Sequence, residues 1–339
     1  MKYAPIFIPT LCRYQHFVRL IESLKRNTWA KYTDIYIGLD YPPAQKYVDG
    51  HKRICHYLEG NFSEFASFNV IRHASNVGSV RNCRIVREII LSKYDRFIRT
   101  DDDAEFSPNF IEYMDKCLME YEDDDSIVAV TGYSYPVDWK VTEGANHFKE
   151  NFICPMWGTG FWREKFLKIQ KEIEGRCLQK SVPFVLKDKL YNRMLTTCRC
   201  EYINLCLSFC NEETLIASMT DVAVRMYMSI HDKYVIVPTI SKVRNWGFDG
   251  SGEYCAKAEQ VRGQYNARNY PYAEQQIDES VDFELFPDRL NAVDENKSKM
   301  DYFEDIPWHR LMKVRIKIGL YKLLGMNTYC RMLNLNCHR

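Results

Sequence analysis

Short apolar runs alternate with helical patterns over the first third of the chain, and this alternation limits the possible folds more than any other feature. The segment 2–10, KYAPIFIPT, is an apolar run that ends at a proline and a threonine. The residues after it place Phe17, Leu20, Ile21 and Leu24 at helical spacing. Further strand-like runs that lead into turns or helices follow at 34–40, 68–73 and 96–100. Strands that alternate with helices predict an α/β fold with a mostly parallel sheet flanked by helices.

Four acids stand at the ends of two of these predicted strands. Asp40 ends the second, and Asp101, Asp102 and Asp103 follow the fourth. Ligands of such sheets bind beyond the carboxyl ends of the strands, and carboxylates there can hold Mg²⁺ or Mn²⁺ together with substrate phosphates. We therefore expect a metal site that includes Asp103 and Asp101. A second acidic run at 122–125 follows a helical pattern instead, and we expect it to face solvent.

Length, charge and cysteine content limit the class of protein. The 339 residues are 46% hydrophobic, enough for a large core, and a net charge of +1 gives no basic field for nucleic acid. The amino terminus lacks a signal-peptide pattern and no run reaches about 18 apolar residues, so we expect a cytoplasmic protein with reduced cysteines. Four cysteines in CRCEYINLCLSFC are expected to be buried hydrophobes, with a metal cluster as the alternative: Cys198, Cys200, Cys206 and Cys210.

The acidic triplet and the residues after it resemble a known family. The stretch 97–110, FIRTDDDAEFSPNF, is similar to the DxD region of GT-A glycosyltransferases, which transfer a sugar from a nucleotide-diphosphate donor. Its Asp-x-Asp followed by Pro-x-Phe resembles the N-acetylglucosaminyltransferases that initiate complex N-glycans. The tract 241–252, SKVRNWGFDGSG, resembles bacterial transferases of surface-polysaccharide clusters. The resemblance covers about residues 3–255 and implies a GT-A fold, Mn²⁺ or Mg²⁺ as cofactor, and a nucleotide-sugar donor, here a UDP-sugar.

The resemblance also implies roles for residues near the first two strands. Arg13 would contact the donor nucleotide, although it could be an ordinary surface arginine. Asp40 would hydrogen-bond the uracil or ribose. Asn76 and Gly78 precede a helix whose main-chain N–H groups can receive a donor oxygen. Asn82 stands where the N-glycan enzymes tend to have histidine.

The resemblance also implies different roles for the three aspartates of the triplet. Asp101 and Asp102 would face ribose and nucleotide groups, while Asp103 would bind the metal directly. Asp101 replaces a glutamate that the family often has at this position, which is a small chemical change.

A sugar hydroxyl is a poor nucleophile until a base removes its proton. The segment 156–166, MWGTGFWREKF, resembles the family's acceptor-side segment, and Asp221 lies where inverting members carry their general base. This implies a single in-line displacement with inversion at the anomeric carbon. Asp221 could instead be a helix N-terminal acid, and Glu213 and Asp232 are alternative bases.

The tract 243–252 contains three glycines and has the composition of a mobile loop that could close over a donor. Arg244 would meet the diphosphate, since a guanidinium suits paired oxygens. Trp246 would shield the sugar from water, with a structural tryptophan as the alternative. We expect His231 to be a surface histidine outside the metal site.

The chain after Asp305 is basic, with three lysines, four arginines and no acid. One helical face carries apolar residues: Leu311, Val314, Ile318, Tyr321 and Leu324 or Leu323. Cations flank it: Lys313, Arg315, Lys317 and Lys322. This is the pattern of an amphipathic helix that lies on an anionic membrane. The alternative is a helix packed on its own domain or on another subunit.

These features predict three parts: a transferase domain at 1–255, a polar connector at 256–304 and a basic helical tail at 305–339. The transferase domain would divide into a nucleotide-binding half at about 1–125 and an acceptor half at about 126–255.

The predicted activity is transfer of a hexosyl or N-acetylhexosaminyl group to a glycan or lipid-linked oligosaccharide in bacterial surface-polysaccharide assembly, at the inner face of the cell membrane. A sugar-nucleotide nucleotidyltransferase is one alternative, but it would carry a glycine-rich loop where PTLCRYQHF (9–17) has none. A non-catalytic carbohydrate-binding protein on the same fold is the other alternative, and it would lack acids at the metal or base position.

Overall fold

Eight strands form one mixed sheet in the part of the chain that the structure describes. The computed structural model describes residues 3–136, 139–151, 154–174, 220–252, 272–292 and 308–332. The strands are β1 (Ile6–Thr10), β2 (Asp34–Leu39), β3 (Ser67–Arg72), β4 (Arg96–Arg99), β5 (Ala104–Phe106), β6 (Ile127–Thr131), β7 (His147–Glu150), β8 (Thr159–Trp162), β9 (Tyr234–Pro238) and β10 (Val243–Asn245). The helices are α1 (Tyr14–Lys25), α2 (Val48–Tyr57), α3 (Ser79–Leu91), α4 (Phe110–Glu120), α5 (Arg163–Ile169), α6 (Thr220–His231) and α7 (Trp308–Met332).

The order of strands in the main sheet is β3-β2-β1-β4-β8-β6-β9-β7. The first four are parallel to one another, and β6 is parallel to β9. β8 runs antiparallel between β4 and β6, and β7 is antiparallel to β9. Four of the seven strand pairs described in the main sheet are therefore parallel. The predicted α/β class, with a mostly parallel sheet flanked by helices, is confirmed.

The core forms where apolar runs are covered on both faces of the sheet. Ile6 and Ile8 of β1 are fully buried, and so is Phe7 between them, which is why this strand is apolar throughout rather than alternating. The face of α1 that the helical spacing predicts is also fully buried: Phe17, Leu20, Ile21 and Leu24.

A second, two-stranded sheet joins the triplet to a distant part of the chain. β5 begins directly after Asp103 and pairs antiparallel with β10, with Arg244 opposite Glu105. Because β10 starts the tract 243–252, this pairing brings the glycine-containing tract onto the acidic triplet.

Residues 272–292, which we call the strap, lie against α4 although the sequence predicts a polar connector there. Phe283 is buried, and its ring meets that of Tyr113 edge-on at 5.0 Å between centroids. The side-chain amide of Asn109 donates to Asp278 at 3.0 Å, and Asp278 also pairs with the buried Lys242. The strap is therefore part of the packed domain.

α7 carries the basic end of the chain. It has a kink at Gly325, whose φ of 71° lies in the left-handed region that favours glycine. No helix within the described ranges is long and apolar enough to cross a bilayer.

His147 of β7 is completely buried in its neutral form. Its Nε2 accepts a hydrogen bond from the hydroxyl of Tyr121 at 2.6 Å, and its Nδ1 donates to Asn146 Oδ1 at 2.9 Å. Burial lowers the pKa of His147 to about 4 from its usual 6.5. The His147 imidazole is therefore harder to protonate in the folded protein than in the unfolded chain.

We expect this histidine to make the fold sensitive to acid. Since the unfolded chain takes up the proton near pH 6.5 and the folded protein only near pH 4, the stability due to neutral His147 is present above pH 6.5 and is lost as pH falls toward 4. The loss is on the order of 3 kcal/mol. Urea unfolding at a series of pH values should show a smaller loss in His147→Gln than in the natural protein. His56→Gln is the matched control because the His56 side chain is 89% exposed; equal pH slopes in the natural protein and His147→Gln would contradict the expectation.

Candidate active site

Asp40 lies at the carboxyl end of β2 and holds the loop before α3. Its Oδ1 accepts hydrogen bonds from the main-chain N–H of Tyr41 at 2.8 Å and of Val77 at 2.9 Å. Its Oδ2 accepts from Gly78 N at 2.9 Å and from Asn76 Nδ2 at 3.1 Å. The carboxylate is buried, and four N–H groups offset the cost of burying its charge. Asp40 therefore fixes the position of residues 76–78.

The glycine and the asparagine near the start of α3 are both constrained. Gly78 precedes the helix with φ of 81°, and no other atom lies where a Cβ would stand, so its conformation rather than crowding favours glycine. Asn82 is buried, and its Nδ2 donates to the carbonyl of Gly38 at 2.8 Å while its Oδ1 lies 3.0 Å from His73 Nε2. Its side chain therefore faces β2.

Arg13 follows β1 and binds two of the three aspartates. One terminal nitrogen donates to Asp102 Oδ1 and the other to Asp103 Oδ2 at 2.8 Å. The hydroxyl of Thr10 donates to the second oxygen of Asp102 at 2.7 Å. Burial acts to lower the pKa of Arg13, but the two aspartates raise it overall. Arg13 is thus the counter-ion of the triplet rather than a surface arginine.

Asp103 is buried, as is Asp102. Its Oδ1 is buried and has no hydrogen-bond partner. Burial raises the pKa of Asp103 to about 7, against the opposing effect of Arg13. Its carbonyl accepts from Trp246 N at 2.9 Å, so the main chain of the tract 243–252 lies directly on it.

Asp101 faces a different cation, Arg99 of β4. Arg99 donates to Asp101 Oδ1 at 2.9 Å, and the Asp101 side chain is 31% exposed. Burial acts to lower the pKa of Arg99, yet Asp101 and Asp221 are among the neighbours that raise it overall. Asp221, in the first turn of α6, therefore lies within electrostatic range of Arg99, which binds Asp101.

The donor set at the triplet fits a hard divalent cation. Asp103 presents a buried oxygen without a partner, and Asp101 presents a half-buried carboxylate. Within the described residues, no three His, Cys, Asp or Glu side chains are grouped to hold a metal. Mg²⁺ commonly uses one or two carboxylates and completes its shell with water and substrate phosphates. The residues present match that mode of binding.

The predicted donor-facing residues of the tract 243–252 contact the protein instead. Trp246 Nε1 donates to Glu105 Oε2 at 2.8 Å, and the guanidinium of Arg19 lies 3.9 Å from the Trp246 ring centroid. Arg244 donates to the same Glu105 oxygen at 3.3 Å and to the Gln275 carbonyl at 2.8 Å. In this structure the two side chains anchor the tract to α1, β5 and the strap.

Two further contacts arrange the tract around the site. Asp249 pairs with His16 of α1 at 2.9 Å. Phe248 meets Trp157 edge-on at 5.9 Å between ring centroids, which joins the tract to the predicted acceptor-side segment. The site is therefore bounded by the tract, α1 and the loop before β8.

Sequence reasoning did not single out several residues that this geometry brings to the site. Thr10 and Arg99 end buried strands, and a polar residue at a strand end was the available signal. Glu105 and His16 carry no local signal for the site because their partners in the tract 243–252 are more than 130 residues away. His231 pairs with Glu172 at 2.8 Å, away from the triplet. Glu213 and the four cysteines between 198 and 210 lie outside the described residues, as do 256–271 and 293–304 of the predicted connector.

No protein-family model matches the chain, and no curated protein matches it. Among solved structures, S. aureus TarS is 13% identical at a TM-score of 0.34, over 51% of this chain and 30% of that chain. TarS 1–349 in complex with UDP is 13% identical at a TM-score of 0.34, over 51% of this chain and 49% of that chain. Mannosyltransferase PcManGT from Pyrobaculum calidifontis, in complex with GDP-Man and Mn²⁺, is 9% identical at 0.37, over 67% of this chain and 69% of that chain. This chain spans half or less of these TarS chains, so the geometry of the site carries the functional argument.

We expect Gly247 to be indispensable for the closure of the tract on Asp103. A Cβ at residue 247 would stand 2.0 Å from Asp103 Oδ2, a distance that forces the main chain or the carboxylate to move. Gly247→Ala should lower the free energy of unfolding by about 1–3 kcal/mol, measured by urea unfolding. Gly319→Ala is the control, since nothing lies within 4 Å of its Cβ position in α7. A Gly247→Ala protein as stable as the natural one would show that the tract does not pack on Asp103 in solution.

Proposed function

We propose that this protein is a metal-dependent glycosyltransferase that moves a sugar from a nucleotide-diphosphate donor, a UDP-sugar, to a hydroxyl group. The observation that carries the proposal is the buried, unpartnered carboxylate oxygen of Asp103, which lies beside Asp101 at the carboxyl edge of a parallel sheet. An unpaired buried acceptor is costly, and a cation bound with a substrate would offset that cost.

The donor would lie over the carboxyl ends of β1, β2 and β4. Asp101 and Asp103 would hold Mn²⁺ or Mg²⁺, which when bound neutralises charge on the leaving nucleoside diphosphate. Asp102 and Arg13 would face nucleotide groups from the same edge. Asp40 would act through Asn76 and Gly78, by keeping the start of α3 in place for a donor oxygen.

The remaining predicted donor contacts would require side chains to leave the partners that they have in this structure. Arg244 and Trp246 would bind the diphosphate and shield the sugar after leaving Glu105, which holds both of them here. Asn82 would contribute indirectly, since its side chain is engaged by Gly38 and His73.

Asp221 would take the proton from the acceptor hydroxyl as it attacks the anomeric carbon. The bond from that carbon to the diphosphate oxygen breaks as the new glycosidic bond forms, so a single displacement inverts the anomeric centre. Asp221 is among the charged neighbours of Arg99, which itself binds Asp101 of the triplet. An ionised carboxylate is the form that can accept a proton.

The acceptor would be a glycan or a lipid-linked oligosaccharide of a bacterial surface polysaccharide, and the transferred group a hexosyl or N-acetylhexosaminyl residue. A lipid-linked acceptor would bring the protein to the inner face of the cell membrane. The basic segment 306–339 supports contact with an anionic membrane because it contains seven cationic side chains and no acid.

Donor binding should require both the metal and Asp103. Calorimetric titration with a panel of nucleotide sugars should find one donor that binds in Mn²⁺ and binds far more weakly without it. Asp103→Asn should weaken that binding at least about tenfold, the smallest loss usual for residues that support a metal site. Asp123→Asn, the same change at an exposed acid of the second acidic run, should have no effect. Metal-independent binding, or folded protein that binds no donor, would refute the proposal.

The base can be tested separately from donor binding. Asp221→Asn should leave the donor Kd unchanged and lower kcat for transfer of the sugar by about 10²–10⁴-fold. Asp49→Asn is the matched control, because Asp49 is also the second residue of its helix and is exposed. Proton NMR of the first product should show an anomeric configuration opposite to that of the donor. Retention of configuration, or near-natural kcat in Asp221→Asn, would exclude the assigned role.

A further inference from the structure

Six large apolar side chains are exposed among the described residues of α7, and five of them lie before the kink at Gly325. Their exposed fractions lie between 38% and 81%. We call this set the apolar stripe: Trp308, Met312, Ile316, Leu320 and Leu323. Contiguous exposed apolar surface on a soluble domain commonly marks a site of interaction.

The apolar stripe occupies one side of the helix. At about 100° per residue, its members cover an arc of about 120°, which also contains His309 and Gly319. The face predicted from sequence has Leu311, Val314, Ile318, Tyr321 and Leu324 or Leu323, and its first four side chains lie outside the described set. Only Leu323 is common to that predicted face and the stripe. The stripe is therefore a feature that the structure adds.

Exposed cations border the apolar stripe on both sides. On the helical wheel, Lys313 lies just beyond Leu320, and Arg315 and Lys322 lie just beyond Trp308 on the opposite side. Such an arrangement lets the apolar side chains enter an apolar phase while long cationic side chains reach toward anionic groups at its surface.

We propose that the apolar stripe of α7 docks into the headgroup region of an anionic lipid membrane, with the helix parallel to the membrane plane. The 17 residues before Gly325 form a length of about 25 Å that carries the entire stripe. The flanking cations select an anionic surface over a zwitterionic one. This docking rests on the membrane contact of the proposed function, but not on glycosyl transfer.

The charge of the segment disfavours a second copy of α7 as the occupant. A helix pair formed through two apolar stripes would bring the bordering cations of both copies together, and the segment 306–339 offers no acid to oppose them. Lipid phosphates supply the missing negative charge. An anionic membrane can therefore bury the apolar side chains of the stripe and pair with the cations that border it.

Flotation of the full-length protein with lipid vesicles tests the docking. Binding is measured with vesicles of phosphatidylcholine alone and with vesicles that also contain phosphatidylglycerol, at low and high salt. The natural protein should float with the anionic vesicles and bind less at high salt. Ile316→Gln with Leu320→Gln should lower the partition coefficient at least about tenfold, whereas each of Lys313→Gln, Arg315→Gln and Lys322→Gln should lower it about fivefold.

Ile240→Gln is the matched control for the stripe, since Ile240 and Ile316 are each 56% exposed. It should leave vesicle binding unchanged. Donor binding, measured in parallel by calorimetry, should be the same in all these variants, so failure of docking and failure of the proposed activity are distinguishable. Absence of binding to anionic vesicles would overturn the inference. So would a dimer that the natural protein forms through the stripe and that Ile316→Gln with Leu320→Gln abolishes.

Discussion

Two carboxylates are buried where the first and fourth strands end, and one guanidinium makes that burial possible. Without Arg13, Asp102 and Asp103 would be like charges out of contact with water, an arrangement that proteins avoid by pairing or protonation. The pairing fixes the loop after β1 against the loop after β4. The main chain of Asp103 then receives the N–H of Trp246, so the position of the glycine-containing tract follows from the same charge balance.

Because Arg13 already binds Asp102 and Asp103, the third aspartate of the triplet pairs with a second cation. Arg13 serves the inner pair, while Arg99 serves Asp101 and lies near Asp221. One oxygen of Asp103 remains outside both pairings. The edge thus combines paired carboxylate oxygens, which hold the loops in place, with the unpaired Asp103 oxygen and the partly exposed Asp101 carboxylate, to which a ligand can bind.

The α/β class could be predicted from the sequence because buried strands and amphipathic helices leave local patterns of apolar residues. The ends of strands could be located in the same way, which is how Asp40 and the triplet were found. The partners of those acids could not be inferred, since Arg13 is 89 residues from Asp102 and Asp40 binds residues 36–38 positions later. Composition predicted a loop at 243–252, but a three-residue strand such as β10 is too short to show a period of two. Its pairing with β5 depends on contacts that arise only in the folded chain.

The strap has a consequence for what counts as an independent folding unit. All ten described strands end before residue 246, and a chain cut at residue 255 would contain each of them. Such a chain would nevertheless leave the buried ammonium of Lys242 without Asp278, and Asn109 without the acceptors it has in the strap. Unpaired buried charge of this kind costs several kcal/mol, a large part of the stability of an ordinary domain. A unit that keeps these contacts therefore has to include the strap, and a salt bridge rather than the last strand decides this.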